Sequence, residues 1–450
     1  MLLIILINLL TINNITANNI NSYDQNGYTK LILSVMENDH KKVEQLIKDG
    51  ADVNLGRNTD KLYHNINSES GKTPLMYAAT FSDLKMIKML VKNKADINKK
   101  NKTRLTALLF AIDKNAEDLV FYLYKRTKSK KSPVILAQTV KSGNLKLFDF
   151  FITKKVPLSF ESKKENILTL AIKSKNIKMI KRILKHDKSL LNKATRDGEY
   201  PIMVAIKQGD YKIFRELLKY PHLNLKVKDS RNQTLLHIAS KRFKTDDIIK
   251  ELLDLKIDAS AIDDNGKTAL FYLVQRRNNQ AIAYLIKKTD LKIKDKQNRN
   301  VYFYAVANYN LFRLLTVKYK APITDKDQFN KSLLTYIIDR GDYRVLKEYE
   351  KELSSKIKFF EGENILSLAV RRANYDMVEI LIKAGFDVNG DKGLVPPLFK
   401  AAELNKVDIL YLLLFHKADK NLYYKGRTVW GIAEGFGYKR VLFLLRNYSF

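Results

Sequence analysis

Apolar residues recur along this chain in short stripes spaced for helices, broken at regular intervals by polar tracts. Gly71–Asn98, GKTPLMYAATFSDLKMIKMLVKNKADIN, displays one complete unit. Its Leu75, in TPLMYA, has counterparts at Leu31, Leu108, Val134, Leu168, Ile202, Leu236, Leu270, Phe303, Leu334, Leu366, Leu398 and Trp430. From Val134 onward the steps are 34, 34, 34, 34, 33, 31, 32, 32 and 32 residues. Periods of this size signal a stack of small supersecondary units.

The second half of each unit repeats as well. LKMIKMLV returns as LKLFDFFI, IKMIKRIL, YKIFRELL, YDMVEILI and VDILYLLL. Leu84, Ile87, Leu90 and Val91 fall on one helical stripe, so each unit reads as two helices of two to three turns. The first is narrow, with Ala78 and Ala79 in the clearest copy, and the second is bulkier. Thr73, Thr106, Ser132, Thr234, Thr268, Ser332 and Thr428 stand where N-caps belong, with Pro74 and Pro133 at first helical positions. The tracts Asp229–Gln233, Asp263–Lys267 and Asp295–Asn300 read as projecting hairpin loops.

The pattern G-x-T-P-L-x-x-A-A, followed by two-helix spacing and a closing G-A-D-x-N, resembles the ankyrin repeat. DGADVN (Asp49–Asn54), NKADIN (Asn93–Asn98), AGFDVN (Ala384–Asn389) and HKADKN (His416–Asn421) carry the closing signature. The resemblance covers about thirteen units from roughly Asn26 to Asn447. It implies a mainly α solenoid of helix-turn-helix units joined by short β-hairpin loops. The family's helix-opening histidine survives only as His237, and Lys94 and Lys417 replace the turn glycines found at Gly50 and Gly385. A left-handed turn is more costly without glycine, so distortion is expected at those two lysines.

By the same resemblance, such arrays bind other proteins on a concave face of loop tips and first-helix surfaces. The corresponding slots hold Lys72, Arg231, Gln233, Lys267, Arg299, Lys331 and Arg427. Most are basic, which points to an acidic protein partner bound by a monomeric scaffold.

The rhythm breaks twice. Residues 55–69 are an insertion expected to form a surface loop, and the unit after Leu108 is short, ending in YKRTKSKKS (Tyr124–Ser132). A bend or split of the stack near residues 125–132 is one reading of the short unit; neutral length change in a surface loop is the other. Lys125, Arg126, Lys128, Lys130 and Lys131 there form a candidate polyanion patch.

Composition narrows the chemistry. With 81 Lys and Arg against 48 Asp and Glu, the formal charge is +33, which invites an acidic protein, nucleic acid or an anionic membrane surface. Drift in an AT-rich coding sequence produces the same lysine excess. Absence of cysteine removes disulfides, thiolate metal sites and thiol nucleophiles. The six histidines are dispersed, and Asp246–Asp247 and Asp263–Asp264 lie at unit junctions, where they tie turns. Neither phosphate-loop nor nucleophile-elbow motif occurs, so no enzymatic activity, cofactor or metal is expected. The apolar run Leu2–Ile12 suits the core of a secretory signal peptide over residues 1–17, although no Lys or Arg precedes it. Residues 18–450 would then form the solenoid of an exported, periplasmic or envelope-associated protein with no transmembrane span. The alternative is a cytoplasmic location.

Overall fold

The computed structural model describes residues 19–59, 67–351, 353 and 364–448. The expected signal peptide at 1–17, His64 and residues 60–66 of the insertion lie outside the described residues. The chain forms two compact units, Met1–Leu223 and Asn224–Phe450. Among the described residues no helix is long and apolar enough to cross a membrane.

Both units are built from antiparallel helix pairs, from Lys30–Met36 with His40–Lys48 to Val429–Gly435 with Lys439–Asn447. First helices are short and buried on nearly every side. In Pro74–Phe81 the run from Pro74 to Ala79 is fully covered. That helix is held between Lys30–Met36 and Ala107–Asp113. Small residues at Ala78 and Ala79 allow the close approach. Second helices are one-sided: in Leu84–Lys92, Met86, Ile87 and Leu90 are buried, while Lys85, Lys88 and Lys92 face water. The buried stripe is thus rotated from the expected one, with Leu84 and Val91 only half-buried.

Helix starts differ in part from expectation. Thr73, Ser332 and Thr428 accept N–H bonds from Met76, Thr335 and Gly431. Thr106, Ser132 and Thr268 make no side-chain cap. Capping falls more often on second helices, where Asp39, Asp83, Asn144, Asn176, Asp210, Asn278, Asp342 and Asn374 each accept from the first turn. A short acceptor on the residue before a helix satisfies an otherwise orphaned donor.

The turns lacking glycine are not distorted. Lys94 and Lys417 both take φ 66°. The Lys94 and Ala95 N–H groups bond Val91 and Leu90 carbonyls, just as Gly50 and Ala51 bond Ile47 and Leu46. The loops are mostly tight turns: paired strands are limited, among the described residues, to Tyr423–Tyr424 with Arg427–Thr428. Isolated bridges join Tyr23 to Thr29, Glu161 to Asn166 and Lys326 to Ser332.

The flanks of the insertion are structural rather than loose. Arg57, Thr59 and Ser70 are buried, Arg57 N–H donates to the Lys72 carbonyl, and the Thr59 and Ser70 hydroxyls meet at 2.8 Å. Helices Ala107–Asp113 and Pro133–Ser142 pack directly together across the shortened linker, and both belong to the unit Met1–Leu223.

Leu236 lies in Leu235–Ser240 with no exposed surface. Leu236→Ala should cost about 2–5 kcal/mol, read as a lowered urea midpoint. A change within about 0.5 kcal/mol, the size of an ordinary surface substitution, would place this side chain outside the core.

Candidate partner-binding surface

Four consecutive loops of the unit Asn224–Phe450 share one construction. One carboxylate oxygen of Asp263 accepts the N–H groups of Asn265 and Lys267 at 2.9 and 3.2 Å. Asp295 does the same with Gln297 and Arg299, Asp327 with Phe329 and Lys331, and Asp229 with Arg231 and Gln233. Aspartate suits this place because its short side chain reaches its own backbone two and four residues on. The second oxygen of three of them takes a tyrosine hydroxyl nine residues later: Tyr272 on Asp263, Tyr304 on Asp295, and Tyr336 on Asp327.

This geometry reassigns most of the expected contact residues. Gln233 is buried and donates Nε2–H to Asp263 of the next loop at 3.2 Å. Lys267 Nζ lies 3.9 Å from Asp295 and 4.6 Å from the Tyr304 ring centre. Arg299 donates to Asp327 at 3.0 Å and to the Tyr336 hydroxyl at 2.6 Å. Lys331 is engaged with Asp339 and lies over Tyr336. These four side chains link one repeat to the next, or brace their own.

Lys72 in the unit Met1–Leu223 is a still clearer correction. Only 2% of it is exposed. Its ammonium sits 3.3 Å from Glu69, 4.4 Å from the Tyr77 ring centre and 4.5 Å from that of Phe110. Arg57 and the Tyr77 hydroxyl approach the other Glu69 oxygen. A cation over aromatic faces, beside a carboxylate, is stabilised where a bare one would not be. Burial nonetheless pulls the Lys72 ammonium below the usual lysine range, against the opposing influence of Glu69.

Arg231 and Arg427 do reach the surface. Of the five basic residues at 125–131, Arg126 lies 3.8 Å above the Tyr122 ring centre, and Lys131 Nζ bonds the Lys154 and Lys155 carbonyls. Lys125, Lys128 and Lys130 are exposed, with no carboxylate among the described residues paired to them. Among the described residues no three His, Asp or Glu side chains are arranged to hold a metal ion.

The loops also shape local proton affinities. Burial tends to raise Asp263, but the Tyr272 hydroxyl and the Asn265 and Lys267 N–H groups win, holding it below the usual carboxylate range. Asp327 is lowered in the same way by Tyr336, the Lys331 N–H and Arg299, again over the opposing effect of burial. Burial and the neighbouring carboxylates push Tyr272 and Tyr304 upward. His237 is buried; its Nε2 faces the Lys267 carbonyl at 2.8 Å, and its Nδ1 lies 3.2 Å from the Thr234 N–H, which it accepts. Burial lowers its pKa despite the Lys267 contact, so the fold retains the neutral ring.

Two predictions follow from these contacts. A double-mutant cycle with Arg299→Ala and Asp327→Ala should give a coupling of about 1–3 kcal/mol in urea unfolding; additive effects would show the pair to be inert. A histidine with a lowered folded pKa contributes stability above its unfolded value of about 6.5, and loses it as pH falls through that value. The urea midpoint should therefore drop between pH 7.5 and 5. His237→Gln, which does not titrate, should show a smaller drop, before the carboxylates protonate below about pH 4.

The model of the family described as ankyrin repeats (3 copies) matches residues 57–133, 136–229, 236–327 and 328–424. Relatives include the ankyrin repeat domain-containing protein SAT10 of Stachybotrys chartarum, 26% identical over 51% of this chain and 12% of that protein. A putative ankyrin repeat protein of fowlpox virus, FPV022, is 22% identical over 64% of this chain and 60% of its own length. The E3 ubiquitin-protein ligase KEG of Arabidopsis thaliana is 19% identical over 50% of this chain and 15% of its own. The chain thus spans less than two thirds of each of these proteins. The human ASB11 ankyrin repeat domain has a TM-score of 0.40 and 19% identity, covering 47% of this chain and 92% of that one. Matched from residue 57 to residue 424 by the family's model, and built of helix pairs joined by tight polar loops, the chain belongs to the ankyrin-repeat family.

Proposed function

We propose that this protein is a non-enzymatic scaffold that binds a protein partner through its projecting loops and the adjoining concave face. The observation that carries the reading is where its large side chains remain uncovered. Phe329 and Tyr423 are 69% and 72% exposed, Phe329 in the loop after Asp327 and Tyr423 in the short strand pair before the last helix pair, while Phe243, 81% exposed, stands in the turn between the two helices of its own pair. Arg231 is exposed at a loop tip, and Arg427 is exposed on the strand opposite Tyr424. Aromatic and arginine side chains on a rigid frame are the types that dominate binding energy when a partner covers them. The basic excess supports an acidic partner, carried by Arg231, Arg427 and the open lysines rather than by the side chains committed between repeats. Crosslinking capture from native cells with the full chain tests this. The combined variant Phe329→Ala, Tyr423→Ala, Arg427→Ala should keep its thermal midpoint and lose at least nine tenths of the captured partner. Unchanged capture would refute the loop surface.

One observation favours a second reading, polyanion binding: Lys125, Lys128 and Lys130 stand exposed, with no carboxylate among the described residues paired to them. Binding of duplex DNA and of anionic vesicles should then weaken with salt along a log–log slope of about −2 to −3, as for roughly three neutralised phosphates. A slope near zero dismisses it.

A further inference from the structure

The shortened third unit lacks a loop-to-loop contact that recurs in the unit Asn224–Phe450. At three successive junctions of the unit Asn224–Phe450, neighbouring loops are joined by one main-chain bond: Asp264 N–H to the Arg231 carbonyl, Lys296 N–H to Asn265, and Gln328 N–H to Gln297. Each acceptor stands two residues beyond the turn aspartate. In the unit Met1–Leu223, Asn101 takes the aspartate's place: its side chain accepts the Leu105 N–H at 2.7 Å, and its loop donates Lys102 N–H to Ser70 on one side. The equivalent acceptor for the other side is the Thr103 carbonyl. No backbone N–H among the described residues donates to it.

The cause lies in the chain length. Helix Glu117–Arg126 is followed by only residues 127–132 before helix Pro133–Ser142, whereas residues 255–268 separate Asp246–Asp254 from Ala269–Arg276. The short linker is tied back by Asn98, whose side-chain oxygen accepts from Thr127 and Lys128, and none of its backbone N–H groups donates to the Thr103 carbonyl. A groove of about 400 Å³ occupies the place, floored by Leu105, Leu109, Val134 and Ile135. Val134 registers the loss: it is 40% exposed, although its counterparts from Leu31 to Leu398 are all buried. Lys100 and Arg104 line the groove, and no carboxylate does.

We propose that this groove binds an extended acidic segment of a partner protein, which takes the place of the missing loop. Its backbone donates to the Thr103 carbonyl, an apolar side chain covers Val134 and Leu109, and flanking carboxylates meet Lys100 and Arg104. Strand-like addition to an open backbone edge supplies main-chain bonds, while the pocket beside it selects the side chain. The charge of the rim commits the occupant to an acidic peptide rather than a neutral one. This rests on the scaffold reading above and gives one of its contacts a location and a chemistry.

The test is a displayed library of random twelve-residue peptides selected on the full-length chain, followed by binding of the enriched peptides in fluorescence anisotropy. Enriched sequences should pair carboxylates with a central Leu, Ile, Val or Phe. Their affinity should fall at least tenfold in Val134→Glu and in Lys100→Glu, both surface changes that leave the thermal midpoint in place. A hexadecameric poly-glutamate peptide should bind much more weakly than they do. Enrichment indifferent to Val134→Glu, equal binding of poly-glutamate or duplex DNA, or no enrichment overturns the groove. If the loop variant of the preceding section still abolishes partner capture, the failure belongs to the groove alone; if neither surface matters, the scaffold reading fails with it.

Discussion

Helices of five to eleven residues are marginal in isolation, because nucleation is costly and few hydrogen bonds follow it. Everything else in this protein answers that constraint. A helix such as Pro74–Phe81 persists because neighbours cover it on two sides and its own second helix covers a third. Side chains there must be apolar almost throughout and small where backbones approach, as at Ala78 and Ala79. The second helices, covered on one side only, can carry lysines on the other. The strong positive charge is therefore compatible with the fold, because much of it stands on surfaces that packing never uses.

The loop carboxylates that enter the stack are satisfied there. Asp263, Asp295 and Asp327 are buried carboxylates, each saturated by two turn N–H groups and a tyrosine hydroxyl. Buried ion pairs are poor sources of net stability, since desolvation offsets most of the attraction. Their geometry imposes register instead: Arg299 reaches both Asp327 and Tyr336 only when the two loops lie at one offset. Lys72 shows another solution, in which aromatic rings and Glu69 replace the water that a lysine normally retains.

The fold was legible from the chain because period, apolar stripe and turn residues all agree on helix pairs. The contact residues were not. Lys72, Lys267 and Arg299 occupy slots that a repeat alignment presents as exposed, and spacing within one unit does not say whether a long side chain turns outward or across to its neighbour. A signal was nonetheless present: Asp, a basic residue four positions on and Tyr five further recur at Asp263–Lys267–Tyr272, Asp295–Arg299–Tyr304 and Asp327–Lys331–Tyr336. Fixed triplets of that kind mark mutual contact, whereas partner-facing positions vary independently. The second-helix caps were similarly visible as recurring Asp and Asn, but the eye goes first to the threonines of the family pattern. Lys94 and Lys417 adopt the left-handed turn without disrupting it, because both flanking bonds of the helix end still form.

The single main-chain bond between neighbouring loops has a mechanical meaning. Tension drawn along the loops of Asn224–Phe450 passes in series through Asp264 to Arg231, Lys296 to Asn265 and Gln328 to Gln297. Bonds in series do not share a load as those of a wide sheet do, so each junction meets the whole force with only its own packing behind it. Beyond that bond, each junction is spanned by a side-chain bridge: Gln233 to Asp263, Lys267 to Asp295, or Arg299 to Asp327.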